Sequence, residues 1–144
     1  MKELTIYLAG AMSNLKKSEY NGWRIKLSNE LKRVSNAKLN IINPADYFEF
    51  NDCKHLQKEI MQFDLNMVRQ SDIVIVNTVG IDNSIGTAIE VYEAHKLNIP
   101  VIAYTENGII HTNMHPWINE CISTREMDFY DVIRYVEDFY MIRY

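Results

Sequence analysis

Cysteine is scarce in this 144-residue chain: Cys53 and Cys121 are the two present, and they form no C-x-x-C arrangement. A disulfide framework and a dithiol redox pair are therefore not expected. The N-terminus lacks the basic-then-apolar layout of a signal peptide, so a reduced, cytoplasmic protein is the expectation. No apolar run approaches the roughly 20 residues a spanning helix needs, so no membrane partner is expected. Fifteen Lys and Arg stand against 19 Asp and Glu, a formal net charge of −4, with no basic block. Nothing here would track a phosphate backbone, and a small molecule or a protein is a better-matched partner than nucleic acid. Three chemical signatures are also missing: G-x-G-x-x-G after the first apolar run, G-x-x-x-x-G-K-[ST], and G-x-S-x-G. His55, His95, His111 and His115 show no H-x-x-x-H pairing, so no metal site is expected.

What is present is an alternation. The runs 4-LTIYLAG-10, 38-KLNIINP-44, 72-DIVIVNT-78 and 99-IPVIAYT-105 read as strands, and 123-STREM-127 as a weaker fifth. Between and after them, helical spacing covers Ser18 to Ser35, Lys54 to Gln70, 85–97, 115–122 and 129–140. With no linker or repeat, one domain is expected, 1–144. It should be α/β: a doubly wound, five-stranded parallel sheet with helices on both faces. Ligands of such sheets sit beyond the carboxyl ends of the strands, where strand order reverses. Gly10, Gly80, Gly86 and Gly108 all fall at that edge, although turns call for glycine in any case.

Two carboxylates stand out. Glu90 follows Gly86 by one helical turn, on the face continued by Glu93, Ala94 and Leu97 rather than the one carrying Ile85, Ile89 and Tyr92. Near the helix N-terminus it should stay ionised at neutral pH, as a nucleophile must. Equally, Thr87-x-x-Glu90 matches a capping box in which the glutamate only returns a hydrogen bond to the backbone. Asp64 falls on the apolar stripe of Ile60, Phe63, Met67 and Val68, where an unpaired charge is costly. Either it reaches solvent or a cation such as Arg24, or it points into a ligand cavity. Two such carboxyls suit glycosidic bond cleavage, one attacking the sugar carbon and the other managing the leaving group's proton. Asp72, at the far end of its strand, reads as a turn or cap residue. Tyr7, a phenol near the end of a central strand, needs a hydrogen-bond partner if buried. Tyr47, Phe48 and Phe50 offer stacking faces for a planar base.

In order along the chain, 6-IYLAGAMS-13, 23-WR-24, 43-NP-44, Asp64, 71-SDIVIVN-77 and 84-SIGTAIE-90 resemble the nucleoside 2-deoxyribosyltransferase family and its nucleotide-hydrolysing relatives. The resemblance implies a flavodoxin-like sheet and an enzyme, a homodimer or higher homo-oligomer, that cleaves a nucleoside N-glycosidic bond without a metal or organic cofactor. It implies that Glu90 is the nucleophile, assisted by Tyr7 and Asp64, with Gly10, Met12, Ser84 and Gly86 lining the substrate site. Asn113 resembles the residue lent across the dimer to the sugar 5′ end.

The implied reaction is transfer of a deoxyribosyl group between bases. One departure matters: Ser84 stands six positions before Glu90, where transferases acting on free nucleosides resemble one another in having aspartate. A serine at a helix N-terminus suits a 5′-phosphate, which keeps hydrolysis of deoxynucleoside 5′-monophosphates as an alternative. The arginine expected for that activity is absent from 10-GAMSNLKKS-18, where Lys16 and Lys17 are the available cations. A glycosidase for nicotinamide or ADP-ribose type nucleotides, and a non-catalytic nucleotide-sensing module, are further alternatives.

Overall fold

The computed structural model describes residues 3–47, 54–106 and 114–141. Four strands, β1 (Glu3–Ala9), β2 (Lys38–Ile42), β3 (Ile73–Asn77) and β4 (Val101–Tyr104), alternate with helices α1 (Lys17–Val34), α2 (Gln57–Arg69) and α3 (Ile85–Lys96). A short α4 (Pro116–Glu120) and α5 (Phe129–Val136) follow, the last continuing as a π-helical turn over Glu137–Met141. All strand pairs are parallel and the order is β2-β1-β3-β4, so strand order reverses between β1 and β3.

Alternation along β1 sorts the core into two layers. Leu4, Ile6 and Leu8 point to the side covered by α1 and α5, where they meet Trp23, Leu27, Leu31, Val132, Ile133 and Val136. Tyr7 and Ala9 point to the other side, with Val68 of α2 and Val91 and Ala94 of α3. Every residue of β3 is buried, as a central parallel strand requires. Each aliphatic side chain fully removed from water here contributes about 1.5–3 kcal/mol before ordering costs.

The expected fifth strand is not formed among the described residues. Met127 makes one parallel bridge to Tyr104, while Ser123 Oγ and Thr124 Oγ1 accept from Val101 N at 2.9 Å and Ala103 N at 3.1 Å. Hydroxyls thus take positions along the edge of β4 that strand carbonyls would otherwise fill, which is how Ser and Thr compete with a sheet ladder. One apolar assignment also changes. On α2 the buried residues are Leu65 and Val68 while Phe63 is exposed. On α3 Ile85 and Tyr92 face outward, and Phe139 lies on the exposed side of the π-helical turn.

Candidate active site

The carboxyl end of β1 organises the site. Tyr7 is fully buried on the α2/α3 side, and its hydroxyl donates to the Glu90 carboxylate. This rules out the capping-box reading of Glu90. The α3 N-cap is Ser84, whose hydroxyl accepts from Thr87 N at 3.4 Å and lies 2.7 Å from Thr87 Oγ1. Thr87 is therefore not the cap, and Glu90, in the second turn, is turned to the sheet instead of back onto its own helix.

Its charge state differs from the sequence expectation. Burial is the largest influence and carries the Glu90 pKa up to about 7; the Tyr7 hydrogen bond lowers it, Asp64 raises it and Arg24 lowers it. Loss of water outweighs the helix dipole, because Glu90 lies past the first turn where that field is strongest. Asp64 sits on α2 with Oδ1 buried and without a hydrogen-bond partner. Burial raises its pKa to about 6, against a lowering by Arg24. A buried acceptor left open in this way is costly unless protonated or met by a bound molecule. Tyr7 stays neutral, its pKa raised first by burial and then by Glu90.

Arg24, one residue of the 23-WR-24 pair, is the group that residue-by-residue reading undervalued. It is 1% exposed, bonded to Leu8 O at 3.3 Å, to Gly10 O at 3.0 Å and to Tyr20 O. Burial lowers its pKa to about 10, which leaves it charged at neutral pH. The signal was available: Arg24 falls on the same helical stripe as Tyr20, Leu27 and Leu31, the argument that singled out Asp64.

Gly10 is there because of close approach. A Cβ at this position would lie 2.8 Å from Trp23 Cζ2 and 3.4 Å from Arg24 Nη2. Gly86 and Gly22 have open space around them, so no neighbouring backbone explains either. Met12 is half-buried in the loop after β1. Asp72 belongs to the opposite edge, where Thr5 N donates to its Oδ2 at 2.8 Å. Glu93, although it continues the Glu90 line, is held by Arg69 at 2.8 Å and Lys96 at 3.0 Å and ties α3 to α2. Asn113, Phe48, Phe50, Cys53, Gly108 and His111 lie outside the described residues. No three of the described His, Cys, Asp or Glu side chains converge as ligands for a metal ion.

Two hollows open on the surface of the described residues. One of about 370 Å³ is lined by Tyr47, His55, Glu59, Ile60 and Phe63, with Tyr47 and Phe63 edge to face at 5.4 Å. Another of about 720 Å³ opens on the α1/α5 side between Trp23, Asn77, Tyr104, Glu106 and Tyr130. Tyr7, Asp64 and Glu90 are in the walls of neither hollow.

An α/β chain with half-buried carboxyls of raised pKa near the reversal of strand order has the features of a class, the parallel-sheet proteins with candidate sites for acid–base or nucleophilic chemistry at the strand ends. The sequence profile described as "Nucleoside 2-deoxyribosyltransferase" matches residues 6–123, and the chain belongs to that family. Its members act on nucleoside or nucleotide small molecules as transferases or N-glycosidases. Comparison with curated proteins finds no match.

Among solved structures, a conserved protein from Enterococcus faecalis V583 is similar at TM-score 0.72 and 17% identity, over 95% of this chain and 99% of that one. The 2-deoxyribosyltransferase of Bacillus psychrosaccharolyticus follows at TM-score 0.63 and 20% identity, over 91% of each chain. A CMP N-glycosidase of Clostridium botulinum aligns at TM-score 0.58 and 11% identity, over 94% of this chain and 99% of that one. At these identities the likeness is one of fold. No described helix is long and apolar enough to cross a membrane.

Proposed function

We propose that the protein cleaves the N-glycosidic bond of 2′-deoxynucleosides and transfers the deoxyribosyl group to another base, with Glu90 as nucleophile. The observation that carries this reading is the Tyr7 to Glu90 hydrogen bond at the carboxyl end of β1, with the open, buried Oδ1 of Asp64 in the same electrostatic cluster. Ionised Glu90 attacks the anomeric carbon, forming a C–O bond as the C–N bond breaks. The base leaves with the bonding pair and takes a proton from Asp64. A nitrogen of the incoming base then attacks the same carbon, Glu90 is released as carboxylate, and that base returns a proton to Asp64. The Tyr47 and Phe63 rings supply an aromatic wall beside α2 for a planar base. Assembly as a homodimer, with Asn113 of a second copy completing the sugar site, belongs to the same proposal.

A second reading, hydrolysis of deoxynucleoside 5′-monophosphates, is favoured by one feature. Ser84 caps α3, and the first helical residues Ile85 and Gly86 are exposed, so a phosphate there would meet helix N–H groups. Incubation with deoxynucleosides or deoxynucleoside monophosphates, with and without an acceptor base, separates the readings by chromatography. Exchanged base supports transfer, and free base from monophosphates alone supports hydrolysis. Inert wild-type protein whose melting temperature still rises with ligand would mark a binding module. Turnover that survives Glu90→Ala would remove Glu90 from its assigned role.

A further inference from the structure

The backbone around Arg24 shows what this buried cation is for. Thr5 exchanges hydrogen bonds with Asp72, donating from N and accepting at O, so its peptide groups face β3. By the alternation of a strand, the carbonyls of Ile6, Leu8 and Gly10 face β2. The β1–β2 register runs to Tyr7 opposite Ile42 and stops. Continued by two residues, it would offer Leu8 O the nitrogen of Pro44, which carries no hydrogen. The next donor, Asp46 N, bonds to Asn43 O at 3.0 Å within the Pro44–Asp46 turn instead of to Gly10 O. Two carbonyls at the buried end of β1 have thereby lost their strand donors, and Arg24 Nε and Nη2 bond to these two. Among the described residues Arg24 forms no ion pair within salt-bridge distance, and its guanidinium carbon lies 4.7 Å from the centre of the Trp23 ring.

We propose that Arg24 is a positioning residue for the Glu90 site: its guanidinium completes the ladder that β2 abandons at Pro44, fixing the strand end that carries Tyr7, and so holds a positive charge at Leu8, the residue next to the tyrosine that bonds Glu90. As a statement about catalysis this rests on the reading of Glu90 above, whereas the arrangement itself does not. The charged and titratable groups facing Glu90 are Tyr7 from β1, Asp64 from α2 and Arg24 from α1. Those facing Arg24 are Glu90, Tyr7, Asp64 and Tyr20.

Carbon-13 NMR of glutamate-labelled protein, with the Glu90 carboxyl assigned through Glu90→Gln, reads the titration without any turnover. Arg24→Gln keeps hydrogen-bond donors but removes the charge, and should move the Glu90 midpoint up by about half a pH unit or more. Arg24→Lys keeps the charge and loses the planar fork, and should leave the midpoint within a few tenths while lowering the melting temperature. If the wild type is active, the alkaline limb of kcat/KM, set by the higher of the two midpoints, should follow the Glu90 NMR midpoint in each variant. A folded Arg24→Gln protein that titrates like wild type overturns the proposal, as does an Arg24→Lys midpoint displaced as far as that of Arg24→Gln. Should Arg24→Gln fail to melt cooperatively, the double variant with Glu90→Gln decides. Recovery of a cooperative transition supports the charge coupling, and no recovery sinks it. Inert wild-type protein with the expected midpoints would refute the proposed function while leaving this role for Arg24 standing.

Discussion

Glu90 and Asp64 have roles only if their protons are correctly distributed. Attack requires Glu90 without its proton and departure of the base requires Asp64 with one, while burial raises the two pKa values to about 7 and about 6. The profile of kcat/KM against pH should then be a narrow bell with its maximum between these values, measurable by initial rates. Glu90→Ala should reduce turnover by at least about a thousandfold, and Asp64→Asn by about a hundredfold or more. The same burial has a cost in stability. Glutamate ordinarily titrates near 4.5, so between that pH and about 7 the folded protein binds the extra proton. The contribution is fully present below pH 4.5 and lost as pH rises through 7. Glu90→Gln should therefore melt above wild type at pH 8, by on the order of 2 kcal/mol, and close to it at pH 4.5. Thermal melts at the two pH values check this.

At the scale of elements, the site depends on how β1, α1, α2 and α3 meet. A methyl group at Gly10 would be driven against Trp23. Gly10→Ala should cost about 1–3 kcal/mol in a denaturant titration, by displacing either the ring or the strand end. Ser84 caps α3 from outside the Glu90 cluster, so Ser84→Ala should cost about 1 kcal/mol and leave the position of the pH optimum unchanged. The Arg69–Glu93–Lys96 group explains why one more acidic residue on the Glu90 line is structural: it is paired where Asp64 is not. Sequence patterns located α1, α2 and α3 to within a few residues, but they misassigned which side of α2 is buried. A helix stripe shows that one face is apolar, not which apolar residue meets the sheet. Phe63 went outward for that reason.

Over the whole molecule, exposed apolar residues are spread over several helices, and α3 with the neighbouring α4 carries some of the most exposed. Ile85 is 79% exposed and Tyr92 55%, two turns apart on α3, and Trp117 on the adjoining α4 is 80% exposed. Apolar surface of this kind in a folded protein commonly marks an interface. If the proposed homodimer uses it, sedimentation equilibrium should give twice the mass of one chain, and Tyr92→Lys with Ile85→Lys should give monomers. A wild-type protein that sediments as a monomer would remove the second copy from the proposed site.

The amino-acid sequence by itself determined the alternation of strands and helices, the full burial of Ile73–Asn77, and the oddity of charged residues on apolar stripes, because these depend on local periodicity and on the cost of burying charge. Tertiary structure alone decided that Glu90 meets Tyr7 rather than its own helix, that Ser123 and Thr124 serve the β4 edge in place of a fifth strand, and that Arg24 replaces Pro44 at the end of β1. Each of these is a competition between partners far apart in the chain. Its outcome is set by strand register and by which donor is left over when the sheet ends.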